Sequence, residues 1–429
     1  MSTLLIQNGR LIDPARQIDR QGDLLIVDGR IAEADRPDRP ADIVIDATGC
    51  IVAPGLIDCH ASFGEPGREE DETIASGSAA ALAGGFTTVA CLPTTLPVID
   101  SRAAAEFIAR QGERAGQCRV LPIGAVTKEC AGAELAEMGQ LISGGAVAFS
   151  DGKRPIANSE IMRRALQYTR MWDKPILHHA QVPELVQGGI MHEGFQSTLI
   201  GLQGMPAAAE EIMVRRDIAL AETTGGRVHL MSLSSLRSVD ELRRAIARGL
   251  RVSADVTPQH LLLTDECLVG YDTNYKVDPP IRTAEHREAL IDGLKDNTIS
   301  LIASDHQPVA LEKKLREIDQ SPFGIVGLET LLPLCLEALV QPGHLSWMQL
   351  LAKLTSGPAE LLGLSAGTLR PGQPADVTII DPNARWQIDA TQFRSRSRNT
   401  PFHGRQVVGQ VRYTLVGGDV KFSLSSPGK

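Results

Sequence analysis

Aromatic side chains are scarce in this chain, at 4% of its 429 residues, so aliphatic packing and close Gly/Ala contacts must build its interior. Paired cysteine motifs are missing too. The seven cysteines, Cys50, Cys59, Cys91, Cys118, Cys130, Cys267 and Cys335, are odd in number and scattered, which excludes a disulfide framework and a Cys-x-x-Cys zinc site. No apolar run approaches the roughly 20 residues that span a bilayer. The opening MSTLLIQNGR has no basic segment followed by an apolar one, so no export signal is expected and a cytoplasmic, reduced protein follows. Positive charge is in deficit. A net charge of −9 argues against nucleic-acid or anionic-membrane partners, both of which need a basic face. The one short basic run, Arg394, Arg396 and Arg398, reads as a solvated loop. No Gly-x-Gly-x-x-Gly follows a strand and no Walker-type loop appears, so nothing supports an open nucleotide-binding sheet.

What is present is ordinary folded-protein material, with 43% hydrophobic and 22% charged residues, long enough for one large domain and a smaller module. Near the N-terminus, Leu4-Leu5-Ile6 precedes Asn8-Gly9 and Leu24-Leu25-Ile26-Val27 precedes Asp28-Gly29, which reads as hairpin strands. The C-terminus repeats this style in 376–380, 407–411 and 413–416, before Gly417-Gly418. Neither end has enough strands for its own sheet, so residues 1–54 and 365–429 are expected to pair into one composite β-sandwich. Between them, short apolar runs (87–92, 120–123, 146–149, 175–177, 228–231, 252–256, 299–302) alternate with helical segments. Ser159–Trp172 and Ser238–Arg248 are two such helices, the second with Ser238 as N-cap and Glu241 at capping-box spacing. Repeated βα units over about 300 residues predict a (β/α)8 TIM-type barrel over 55–364.

The strand-end motifs carry a resemblance. APGLIDCHASFGEPG from residue 53, MHEGFQSTLIGLQGMPAAAEE (191–211), ADVTPQHLLLTDE (254–266), NYKVDPPIRT (274–283), IASDHQPV (302–309) and GTLRPGQPADVTIIDP (367–382) together resemble the dihydroorotases of the amidohydrolase superfamily, in the right order over nearly the whole chain. The resemblance implies a metal-dependent barrel. Opening or closing a cyclic amide is slow because water is a poor nucleophile and the amide a poor electrophile, and a divalent ion corrects both. In that family the ion is held by a His-x-His pair, a bridging acidic or carboxylated residue, two further histidines and an aspartate that also moves the proton.

Position by position, this sequence keeps three of those ligand types. They are His60, His179 and Asp305. Ser62 stands at the second histidine of the pair and Ser232 at the fourth histidine. Gly152 falls at the bridging position, although a local shift would let Asp151 or Lys153 reach it. His178 is an extra imidazole beside His179. The substrate-holding arginine, asparagine and histidine are replaced by Gly64, Thr94 and Val309, and losing the arginine removes a bidentate carboxylate fork. A binuclear centre is not expected. Either His60, His179 and Asp305 are metal-free remnants, the preferred reading, or they hold one Zn2+ with three protein ligands. His229 and His306 read as packed, hydrogen-bonded histidines. Glu312-Lys313-Lys314 reads as a solvated, mobile loop, while Asn274, Lys276 and Arg282 fit loop bracing as well as a pocket.

Two functions follow as expectations. The first is a dihydroorotase-like pseudoenzyme in pyrimidine biosynthesis. By resemblance to proteins with degenerate metal motifs, it would be a non-catalytic partner of aspartate carbamoyltransferase in a homo- or hetero-oligomer. The second is an active cyclic amidohydrolase with a mononuclear site. A ligand sensor using the emptied pocket has no motif of its own.

Overall fold

Both ends of the chain meet in one sheet in the computed structural model, which describes residues 2–33 and 40–424. The N-terminal part supplies β1 (Thr3–Asp13), β2 (Ile18–Val27), β3 (Arg30–Ile31), β4 (Ile43–Asp46) and β5 (Ile51–Pro54). After Gly55 the chain enters a second sheet through β6 (Leu56–Ala61), β7 (Phe86–Cys91), β8 (Arg119–Gly124), β9 (Ala148–Phe149) and β10 (Ile176–His178). A small pair, β11 (Met191–His192) and β12 (Gly204–Met205), precedes β13 (Val228–Leu230), β14 (Val252–Val256) and β15 (Leu301–Ile302). The C-terminal part returns with β16 (Val377–Gln387), β17 (Gln406–Val416) and β18 (Asp419–Ser423).

The second sheet is parallel throughout, in the order β6-β7-β8-β9-β10-β13-β14-β15. Its strands are buried on both faces and therefore read as continuous apolar runs. Among the described residues no ladder joins β15 to β6. Two other contacts cross that seam. The Ser62 N–H donates to the His306 carbonyl at 2.8 Å. The Asp58 carboxylate accepts the Ser304 N–H at 3.0 Å and the Ser304 hydroxyl. The terminal sheet runs β18-β17-β16-β5-β1-β2-β3, with β4 beside β1, and wraps a core that includes Leu4, Ile6, Ile26, Val377 and Leu415.

Four local expectations are corrected. Asn8-Gly9 is no turn but a bulge inside β1, where the register shifts and Asn8 has φ 62°. The reversal comes later, at the short turn Pro14–Arg16. Residues 407–411 and 413–416 belong to one strand, β17, because its pairing with β16 skips Arg412. Ser238 lies inside the helix Leu236–Ala247, whose N-cap is Ser235. The Ser235 N–H and hydroxyl are held by Glu210 and Glu211, which starts that helix three residues early. Glu312-Lys313-Lys314 is tethered. The Lys313 Nζ lies 2.8 Å from Asp71 and 2.7 Å from Glu70, and the buried Lys314 donates to the carbonyls of Thr273 and Pro322. No helix among the described residues is long and apolar enough to cross a membrane.

Candidate functional site

The C-terminal ends of the parallel strands converge on one face, where barrels of this kind place their chemistry. At its centre lies the fully buried carboxylate of Asp255, on β14. Its Oδ2 accepts from the Nε2 of His60 at 2.8 Å and of His229 at 2.9 Å, and its Oδ1 accepts the Ser232 N–H at 2.9 Å. Burial opposes charge on Asp255, but His60 and the hydrogen bonds from both imidazoles outweigh it and hold the carboxyl below its usual range. Burial likewise opposes charge on His60, and there the carboxylates of Asp255, Asp305 and Asp58 win and raise the imidazole's pKa. Burial lowers that of His229, whose Nδ1 sits 2.8 Å from the Ser253 hydroxyl.

Asp305, three residues past β15, has φ 47°, a left-handed conformation uncommon for a non-glycine residue. Its Oδ2 accepts from the Lys153 Nζ at 2.8 Å and its Oδ1 from Gln307 at 3.0 Å, with the His60 Nδ1 3.7 Å away. Lys153 donates a second bond to the Asp278 carbonyl at 2.7 Å. The chain thus supplies its own cation to the aspartate that would bind a metal.

The remaining ligand positions are dispersed. The His179 Nε2 is 2.7 Å from the Gln181 Oε1 and 3.3 Å from Asp278. Ser232 and His179 border a cavity of only about 10 Å³ beside Arg282, at most one water's space. His178 is structural, with its Nδ1 2.6 Å from Asp217 and its Nε2 accepting the Ile156 N–H at 2.9 Å. Asp151 does not reach the bridging position, because its oxygens accept the Val126 and Thr127 N–H groups and the Thr127 hydroxyl. His306 turns to Glu72, at 3.4 Å. Arg282 braces loops by bonding Ser234 and His192, and Lys276 does so through the Ile318 carbonyl.

Two of the altered positions have no room for a side chain. A Cβ on Gly152, where φ is +64°, would lie 2.4 Å from the Thr94 Cγ2. A Cβ on Gly64 would lie 2.1 Å from the Arg68 carbonyl, so the arginine expected there has no room. Above this floor opens a cleft of about 450 Å³ that brings Ser62, Gly64, Thr94 and Val309 together. Arg68, Lys153 and Arg154 also line it. Sequence reasoning noted only Lys153 among these three, although Lys153-Arg154 directly follows the degenerate ligand position. It also missed Asp58 and Asp255, which isolated carboxylates in buried apolar strands could have signalled.

The donor set does not fit a catalytic divalent ion. Among the described residues, one trio of ligand-type side chains has its donor atoms within 4.8 Å of one another: Cys59, His60 and Asp255, all buried. Burial and neighbouring carboxylates push the Cys59 thiol's pKa well up, and the His60 Nε2 and Asp255 Oδ2 are already spent on each other at 2.8 Å. His60, His179 and Asp305 form no such group. A fixed ammonium on Asp305 repels the second cation that site would need.

Residues 51–421 match the profile of the amidohydrolase family. A protein named dihydroorotase from Solibacter usitatus is 47% identical, over 99% of this chain and 99% of its own length. Another so named, from Pelotomaculum thermopropionicum, is 49% identical over 97% and 98%. Among solved structures, the L-hydantoinase (dihydropyrimidinase) of Arthrobacter aurescens superposes with a TM-score of 0.88 at 26% identity, covering 98% of this chain and 96% of that one.

Proposed function

The chain belongs to the amidohydrolase family, and from that membership we propose a dihydroorotase-like pseudoenzyme of pyrimidine biosynthesis, acting as a non-catalytic structural partner of aspartate carbamoyltransferase. Full-length similarity to proteins named dihydroorotase supports the pathway. The observation that carries the loss of chemistry is the ion pair of Lys153 with Asp305. Hydrolysis of a dihydropyrimidine amide needs a polarised carbonyl and an activated water. Asp305 is the group that would take the proton from that water. Here its oxygens are engaged by an ammonium and an amide, while Ser62, Gly152 and Ser232 offer no replacement ligands.

The test is purification of aspartate carbamoyltransferase from the same source with and without this chain, followed by sizing and activity assays. The expected result is a larger assembly, and higher transcarbamoylase activity, only when both are present. Equal activity and assembly without this chain would overturn the partnership. Stoichiometric zinc together with dihydroorotate hydrolysis, lost on Asp305→Ala, would overturn the pseudoenzyme reading and favour a mononuclear enzyme.

A further inference from the structure

We propose that the crevice between the terminal sheet and the barrel is a binding site for a small aromatic cation, an ammonium or amidinium carried on a flat ring. Glu329 would hold its charge, and the rings of Trp386, Phe393 and Phe422 its body. The crevice shares no lining residue with the barrel-mouth cleft, and its test does not depend on the function proposed above.

The cavity there measures about 420 Å³, within the usual range of small-molecule sites. Strands β16, β17 and β18 form one wall, and the ends of the helices Ile74–Ala83 and Leu331–Cys335 form the other. Aromatic residues make up only 4% of the chain, yet three of them line this one cavity. A hydrogen bond from the Trp386 Nε1 to the Gly409 carbonyl at 2.9 Å fixes the indole, and Phe393 is anchored in a core with Ile388 and Phe402. Among the described residues, none of the three rings pairs with another ring or has a cation of the chain over its face. Such π faces attract a cation, most strongly at tryptophan.

Glu329 supplies the matching charge. Its oxygens accept only backbone N–H groups, that of Arg394 at 2.9 and 3.0 Å and that of Ser395 at 3.1 Å, and it forms no ion pair among the described residues. Burial outweighs those hydrogen bonds and raises its pKa to about 7, as expected of a carboxyl without a counter-ion. Its Oε1 takes both N–H groups, whereas Oε2 shares only the first, so Oε2 keeps acceptor capacity. Asp389 adds a second carboxylate to the lining, against the single exposed cation Arg394. Ring faces beside an unpaired carboxylate suit a flat cation, whereas an anion or a neutral ring would leave that carboxylate unmatched.

The experiment titrates the full chain calorimetrically with benzamidine, a flat amidinium, and with benzamide, its neutral counterpart, at matched ionic strength. Benzamidine is expected to bind saturably, at least about tenfold more tightly than benzamide, and to change the intrinsic fluorescence. At equal saturation Trp386→Phe should lose that change, which places the ligand in this crevice rather than at the barrel mouth. Glu329→Gln removes the charge but keeps an acceptor for the Arg394 and Ser395 N–H groups. It is expected to weaken benzamidine at least about tenfold and to leave benzamide unaffected. Phe422→Leu, on the edge strand β18, leaves Glu329 in place and should weaken benzamidine severalfold. The comparison of the two probes on the parent needs no variant, so it decides the charge requirement even where Glu329→Gln melts early. No saturable benzamidine binding by the parent, equal affinity for the two probes, a fluorescence change that survives in Trp386→Phe, or binding undiminished in both Glu329→Gln and Phe422→Leu would each overturn the proposal.

Discussion

Gly152 lacks even the Cβ on which the bridging side chain of a dihydroorotase-type site would be built. Thr94, at another altered position, fills the space with its methyl group 2.4 Å from where that Cβ would lie. The two positions therefore compete for the same space. Gly152→Asp is expected to lower stability by about 1–3 kcal/mol, from the contact and from a positive φ that only glycine adopts freely. Adding Thr94→Ala should return part of that loss, so that the pair is non-additive by at least about 0.5 kcal/mol. Urea denaturation of the single and double variants measures this, and strictly additive effects would show that the positions are independent. At this scale the sequence offers candidate ligand positions, because strand-end spacing is local. It hides the pairing of Lys153 with Asp305, 152 residues away, since which side chain fills an emptied site depends on the closure of the whole barrel.

Loops between strands and helices are held here by buried polar groups rather than by their own turn chemistry. Glu210 is one such clamp. It accepts the Ser234 and Ser235 N–H groups at 3.2 and 2.9 Å and lies 3.6 Å from the buried Arg282 guanidinium. Glu210→Ala leaves that guanidinium without a counter-charge and is expected to cost about 3–5 kcal/mol. Glu210→Gln, which keeps hydrogen-bonding capacity, should cost measurably less in the same denaturation assay. His260 is a second clamp, with its Nδ1 2.7 Å from the Thr257 hydroxyl and its Nε2 3.0 Å from the Pro279 carbonyl. Burial lowers its pKa to about 4. Above the unfolded value near 6.5 both states are neutral and the clamp's contribution is complete. As pH falls below that, the unfolded chain takes a proton that the folded chain refuses, so stability drops until about pH 4, by about 3 kcal/mol in all. Chemical melts across pH 4–7 should show that slope, and His260→Gln should flatten it. An unchanged slope would place the titration elsewhere. Such clamps explain the misplaced N-cap at Ser238. Spacing alone offers Ser238 and Glu241, whereas the helix begins where Glu210 and Glu211 fix Ser235. Strand alternation was legible because it follows burial, and the β1 bulge was not, because Asn-Gly serves a bulge as readily as a turn.

Across the whole molecule the two sheets are bound to each other by contacts that only the finished fold creates. The Thr378 hydroxyl donates to the Gly85 carbonyl at 2.6 Å, the Thr414 hydroxyl to the Leu82 carbonyl at 2.7 Å, and Arg119 pairs with Asp376. The barrel seam is likewise held by Asp58, Ser304, Ser62 and His306. Both sets consist of the chain's own groups, and at the barrel mouth Lys153 and His60 lie against the Asp305 carboxylate. A ligand that binds the folded state alone adds RT ln(1 + [L]/Kd) to stability, so stripping a resident ion at 1,000-fold saturation removes about 4 kcal/mol. Under the metal-free reading proposed above, that contribution is zero. Calorimetry should therefore give one cooperative transition whose midpoint stays within about 1 °C after exhaustive chelation, since a few kcal/mol would move it by several degrees. Elemental analysis of the same samples should find well under one equivalent of zinc per chain. A midpoint that falls by several degrees with chelator and recovers with zinc would mean that Lys153 yields its place to an ion, and that the trio of His60, His179 and Asp305 rearranges to hold it.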